Sequence, residues 1–173
     1  RKCEMGFDLF KKKSKGVDAV LEDDSPFMPQ VDPSTIDVES IHLDSMRILL
    51  VEDNVLNREI AEYLLTNKGA KVEFAENGKI AVAKFEESEE HYYDCILMDI
   101  VMPIMDGYEA TKLIRKLKHP DAKTVPIVAM TANNLKEDIA LALKSGMNAH
   151  IAKPIKTSIL LQTVSAYSPK QNI

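Results

Sequence analysis

The sequence predicts an α/β fold: a three-layer sandwich in which five helices cover a five-stranded parallel sheet of strand order 2-1-3-4-5. Three observations carry this. Short apolar runs and longer segments of helical spacing alternate along residues 46–166. The runs "RILLV" (47–51), "CILM" (95–98) and "PIVAMT" (126–131) lack the polar alternation of a strand with one wet face, so both of their faces are buried. Parallel strands buried on both faces need helical crossovers, and each run is followed by one.

The first strand is 47–51. Residues 54–68 then place Val55, Ile60, Leu64 and Leu65 at roughly helical spacing, with Asn54 as N-cap and Gly69 as stop. "KVEFA" (71–75) alternates and is the second strand, ended by the turn Glu76-Asn77-Gly78. A Glu-rich outer face marks a helix over 78–90. The third strand, 95–98, precedes a helix over 107–118. The fourth, 126–131, precedes a helix over 134–145 that Gly146 ends. "AHIA" (149–152) is the last strand and 156–166 the last helix. Five strands in this length of chain suit the flavodoxin-like, doubly wound order.

Composition divides the chain into a linker or tail, 1–45, and a folded domain, 46–173. All cations of the first part lie within residues 1–15, including "KKKSK" (11–15). Residues 16–45 contain no Lys or Arg, but carry Pro26, Pro29 and Pro33 among many acids. Such a stretch buries little apolar surface and is expected to be irregular, apart from a short turn around Val17, Val20 and Leu21. "MGFDLF" (5–10) beside the lysines is expected to be a solvated linker end rather than a membrane-touching segment.

The chain has 173 residues and a net charge of −5, which argues against direct nucleic-acid binding. No apolar stretch is long enough to span a membrane, and no signal-peptide pattern opens the chain. Cys3 and Cys95 make no disulfide framework, so a reducing, cytoplasmic setting is expected.

Chemistry concentrates at the C-terminal ends of the predicted strands. Strand 1 ends in Glu52-Asp53, strand 3 in Asp99, strand 4 in Thr131 and strand 5 in Lys153. Each has an ordinary explanation alone: a solvated loop, a helix cap, a β-branched strand residue, an exposed lysine. Together they form a complementary set at the switch point of the sheet, where open α/β folds bind ligands. Three carboxylates brought close repel one another, and a divalent cation resolves the conflict. An all-oxygen donor set without His or Cys favours Mg²⁺. Asp53 and Asp99 are the expected direct ligands and Glu52 a ligand through water. A backbone carbonyl just after Asp99, at Val101, would complete the protein's share. With Lys153 as a further positive charge and Thr131 as a hydroxyl donor, this is a phosphoryl site whose carboxylate can attack, giving an aspartyl phosphate.

The segments "ILLVEDNVLNREIAEYLL", "AENG", "YDCILMDIVMPIMDGYEAT", "PIVAMTAN" and "GMNAHIAKPI" resemble, in order and spacing, the receiver domain of two-component response regulators, most closely receivers attached to hybrid histidine kinases. The resemblance covers 46–166. It implies that Asp99 is the phosphoacceptor, Glu52 and Asp53 the acidic metal pair, Thr131 the switch hydroxyl and Lys153 the site lysine, with a cis bond before Pro154. It also implies a histidine kinase or histidine phosphotransfer protein as phosphodonor, a protein as output partner, and a membrane only through a parent kinase. His150 departs from the pattern, since many receivers carry Tyr or Phe there.

Other phosphate enzymes fit poorly. The 6 glycines never form G-x-G, and no P-loop motif occurs. An aspartyl-phosphate phosphatase wants a second acid two residues past its nucleophile, and Val101 stands there. The remaining rival is a pseudo-receiver that binds a partner without being phosphorylated.

Overall fold

The computed structural model describes Thr35, 37–132 and 135–169. The expected turn around Val17–Leu21, the 5–10 segment and the start of the fourth helix at residue 134 lie outside the described residues. The strands are β1 (Arg47–Val51), β2 (Lys71–Ala75), β3 (Cys95–Asp99), β4 (Ile127–Thr131) and β5 (Ala149–Ala152). The helices are α1 (Val55–Thr66), α2 (Gly78–Glu86), α3 (Gly107–Lys116), α4 (Lys136–Ser145) and α5 (Thr157–Ser165). All strands pair in parallel, in the order β2-β1-β3-β4-β5. The expected fold is therefore the observed one.

Alternation along the strands feeds two cores. From β1, Ile48 and Leu50 join Ala61 and Leu65 of α1 and Leu160, Leu161 and Val164 of α5. Leu49 and Val51 face the other way, with Ala81 and Phe85 of α2, Ala110 and Ile114 of α3 and Ala142 of α4. Each layer of helices thus covers one face of a sheet whose central strands are buried throughout. The chain before β1 also reaches the first core: Leu43 is fully buried and its N–H donates to the Lys68 carbonyl (2.7 Å).

The expected cap forms at Asn54, and Asn77 and Asp106 cap the next two helices. The Asn54 side chain accepts from the Asn57 N–H, that of Asn77 from Ile80 and that of Asp106 from Glu109. Gly69 and Gly146 adopt φ of 94° and 103°, the left-handed conformation that stops a helix at little cost to glycine. The second helix is shorter than expected, ending at Glu86 rather than residue 90. There the Ser88 hydroxyl donates to the Phe85 carbonyl, and the His91 N–H goes to the Asp121 carboxylate instead of to a helical carbonyl.

Candidate functional site

The end of β1 splits two neighbouring acids. The Glu52 N–H still donates to the Ala75 carbonyl of β2 (3.1 Å), which keeps its backbone on the sheet, and its side chain is buried. Asp53 is the first residue to leave, and it is exposed. The Asn54 N–H donates to Glu52 Oε1 (3.1 Å), fixing one carboxylate oxygen.

Asp99 is the last residue of β3, in register with Met130 of β4. It is only 4% exposed although it is an acid. Thr131 ends β4 and is buried. The Lys153 N–H donates to the Thr131 carbonyl (2.7 Å), so the ladder continues one residue beyond β5 and anchors the lysine at the sheet's end. From there Lys153 Nζ lies 2.7 Å from Glu52 Oε2 and 3.0 Å from Asp99 Oδ1. The Lys153–Pro154 bond is cis.

Glu52, Asp53 and Asp99 each offer an oxygen, all within 4.8 Å of one another. Burial, then the charge of Glu52, pushes the Asp99 carboxyl up to about 6; Lys153 pulls it down and Asp53 adds a little more upward pressure. For Lys153 burial disfavours the charge, but the bonds from Glu52 and Asp99 outweigh it and its pKa is raised. One ammonium thus serves a pair of buried carboxylates, with a third at the rim. The cluster retains a negative excess that a hard cation fits, and its donors are all oxygen.

The sequence-predicted residues Glu52, Asp53, Asp99 and Lys153 are thus brought together, with Thr131 at the end of the strand next to β3. Val101 lies two residues past Asp99, and its side chain is 75% exposed, so only its backbone can serve the site. His150 sits on β5 opposite Ala129, half-buried, and burial lowers its pKa.

One contributor escaped the sequence reading. A Cβ on Gly107 would stand 2.2 Å from the Asp99 carbonyl oxygen, so the loop returns against the phosphoacceptor candidate only with glycine there. The Gly107 N–H closes this loop on the Ile100 carbonyl (3.0 Å). The sequence signal was the Asp106-Gly107 pair at the head of α3.

Comparison with known proteins decides the family. The profile of the response regulator receiver domain matches residues 48–165. The chain belongs to that family. This receiver is 36% identical over 132 residues to hybrid signal transduction histidine kinase I of Dictyostelium discoideum, covering 75% of the chain but 8% of the kinase. It is 38% identical over 141 residues to probable histidine kinase 2 of Oryza sativa subsp. indica, covering 75% of the chain and 14% of that protein. The chain therefore spans a small fraction of these relatives' length. Among solved structures, it is similar to the receiver domain of the sensor histidine kinase PA1611 of Pseudomonas aeruginosa, which holds a magnesium ion in its active site cleft. Identity is 39%, TM-score 0.64, and coverage 71% of this chain and 97% of that one. It is also similar to the Saccharomyces cerevisiae receiver domain of Ssk1, solved with the histidine phosphotransfer protein Ypd1. Here identity is 30%, TM-score 0.66, and coverage 76% and 94%. Among the described residues no helix is long and apolar enough to cross a membrane.

Proposed function

We propose that this receiver accepts a phosphoryl group on Asp99 from a phosphohistidine, in a Mg²⁺-dependent reaction, and signals through a changed protein-binding surface. The observation that carries the reading is the Asp99 carboxylate itself: buried, crowded by Glu52, and held by Lys153 at 3.0 Å. An Asp99 oxygen forms the new O–P bond as the donor's N–P bond breaks, and the leaving imidazole keeps the electron pair and takes up a proton. Lys153 holds Asp99 in place and offsets charge on the arriving phosphoryl oxygens. Thr131 donates its hydroxyl to one of those oxygens.

Asp53, Asp99 and the Val101 carbonyl would hold the magnesium ion directly and Glu52 through water. Both Glu52 oxygens already have partners in Lys153 and the Asn54 N–H, which supports the outer role. The ion, when bound, neutralises the carboxylates and leaves coordination positions open to phosphoryl oxygens.

The donor is a histidine kinase or a histidine phosphotransfer protein, as the Ssk1 receiver's complex with Ypd1 suggests. The relatives make a hybrid histidine kinase the natural parent, and a cytoplasmic setting follows from such a role.

Incubation with Mg²⁺ and a small phosphodonor, read by intact mass, tests this. Wild type should gain one phosphoryl group labile to alkali and hydroxylamine, no gain should follow when Mg²⁺ is chelated beforehand, and Asp99→Asn should gain none. Full labelling of Asp99→Asn would overturn the assignment, and an unlabelled wild type would favour an interaction module that is not phosphorylated.

A further inference from the structure

We propose that Glu90, His91 and Asp121 form a second metal site, for a divalent transition-metal ion of the Zn²⁺ class, at the end of the sheet opposite the acidic cluster. His91 lies in the loop before β3 and Asp121 in the turn before β4, so both occupy the N-terminal edge of the sheet. The strands place this edge on the order of 15 Å from Asp99.

Three donors converge there: an imidazole nitrogen and one oxygen from each carboxylate, all within 4.8 Å of one another. His91 Nδ1 is 3.0 Å from Asp121 Oδ1, and His91 Nε2 is 3.6 Å from Glu90 Oε1. Donors that share one zinc ion stand roughly 3.0–3.5 Å apart, given bonds of about 2.0–2.2 Å. The nitrogen facing Asp121 is therefore already at ligand spacing, and Glu90, whose exposed carboxylate faces the other ring nitrogen, turns toward the first to close the set. An imidazole with two carboxylates suits zinc-like ions and disfavours Mg²⁺.

The electrostatics also call for a cation. Asp121 is buried, 6% exposed, and among the described residues no Lys or Arg pairs with it. Its fixed partner is the His91 N–H, at 2.5 Å. The other nearby ring, His119, is committed. It accepts the Asp121 N–H on Nδ1 (3.2 Å), so its Nε2–H donates to the Ser88 carbonyl (3.0 Å), and the ring packs on Phe85. His119 thus spends both ring nitrogens on backbone groups. The charges of Asp121 and Glu90 converge on a single imidazole, and two of the three donors are open to solvent, which gives an ion a way in.

Zinc binding to the whole chain is measured by equilibrium dialysis with excess Mg²⁺ present, so that the acidic cluster is occupied. Wild type should bind one equivalent of Zn²⁺. His91→Gly suits the φ of 60° at this position and keeps the backbone bond to Asp121, so it removes the ring without removing the fold. It should weaken zinc binding by on the order of tenfold or more, and Glu90→Gln should weaken it as well. No bound zinc in wild type, or a loss of less than tenfold in His91→Gly, or full affinity in Glu90→Gln, overturns the site.

Discussion

As the proposed phosphoacceptor Asp99 would have to stay ionised, yet burial and the charge of Glu52 push its carboxyl up to about 6. Without metal, then, the folded state takes up a proton on Asp99 at a pH where the unfolded chain, with an ordinary carboxyl near 3.8, does not. The folded state binds the extra proton between about pH 4 and 6, so Asp99 makes metal-free stability fall as pH rises through that window. Asn at this position keeps the shape and carries no charge, while Glu52 keeps its bond to Lys153. Urea unfolding in chelator should therefore find Asp99→Asn more stable than wild type at pH 7, with the gap narrowing toward pH 4. Saturating Mg²⁺ should raise wild-type stability at pH 7 by binding only the folded site. Parallel pH profiles for the two proteins would mean that the crowding at Asp99 is relieved without a cation.

Between elements, the loop from β3 to α3 sets where Asp99 sits. Its return at Gly107 leaves no room for a Cβ, because the obstructing atom is the Asp99 backbone oxygen rather than a flexible side chain. Gly107→Ala should cost roughly 1–3 kcal/mol by overpacking and should also slow phosphoryl labelling, since the backbone that must shift carries the proposed nucleophile. Unchanged stability together with unchanged labelling would show that the loop has slack. This contact also marks what the sequence can convey. Strand ends were legible because apolar runs stop sharply at Glu52, Asp99 and Thr131, and the order of a doubly wound sheet then brings those ends together. Helix ends were less so. Residues 86–90 are mostly good helix formers, and what stops α2 is Ser88 turning back on Phe85 and His91 bonding to Asp121, 30 residues away. The convergence of Glu90, His91 and Asp121 left no local pattern either, because it depends on β3 and β4 being neighbours. Leu43 is similar: a lone leucine in an acidic stretch has no periodicity to betray that it packs under the sheet.

Across the whole molecule, the proposed signal must travel from the sheet's end to a surface, and one core holds its helices with unequal firmness. α3 buries Gly107, Ala110, Thr111 and Ile114, whereas α4 buries only Ala142 and Ser145 and leaves Leu135 and Leu141 largely exposed at its start and on its outer face. An element with few buried contacts is the one a small free-energy change can shift. Thr131 lies where β4 leads toward α4, and its carbonyl is bonded to the Lys153 N–H, so it joins the candidate site to both α4 and the chain after β5. On the proposed function, a phosphoryl group on Asp99 would bring oxygens that Lys153 and the Thr131 hydroxyl can pair with in one packing better than in another, and would thereby shift the population toward that packing. His150 would be a weaker relay: burial lowers its pKa and so disfavours the charged ring, and imidazole fills less space than the aromatic rings common at this place in receivers. Amide exchange across 135–160, with and without a beryllofluoride mimic of the phosphoryl group, separates the two residues. Wild type should show a changed exchange pattern in α4, β5 and the start of α5. Thr131→Ala should still be labelled at Asp99 yet lose most of that change, and His150→Ala should keep most of it. An equal response in wild type and Thr131→Ala would remove Thr131 from the route, whatever the fate of Asp99.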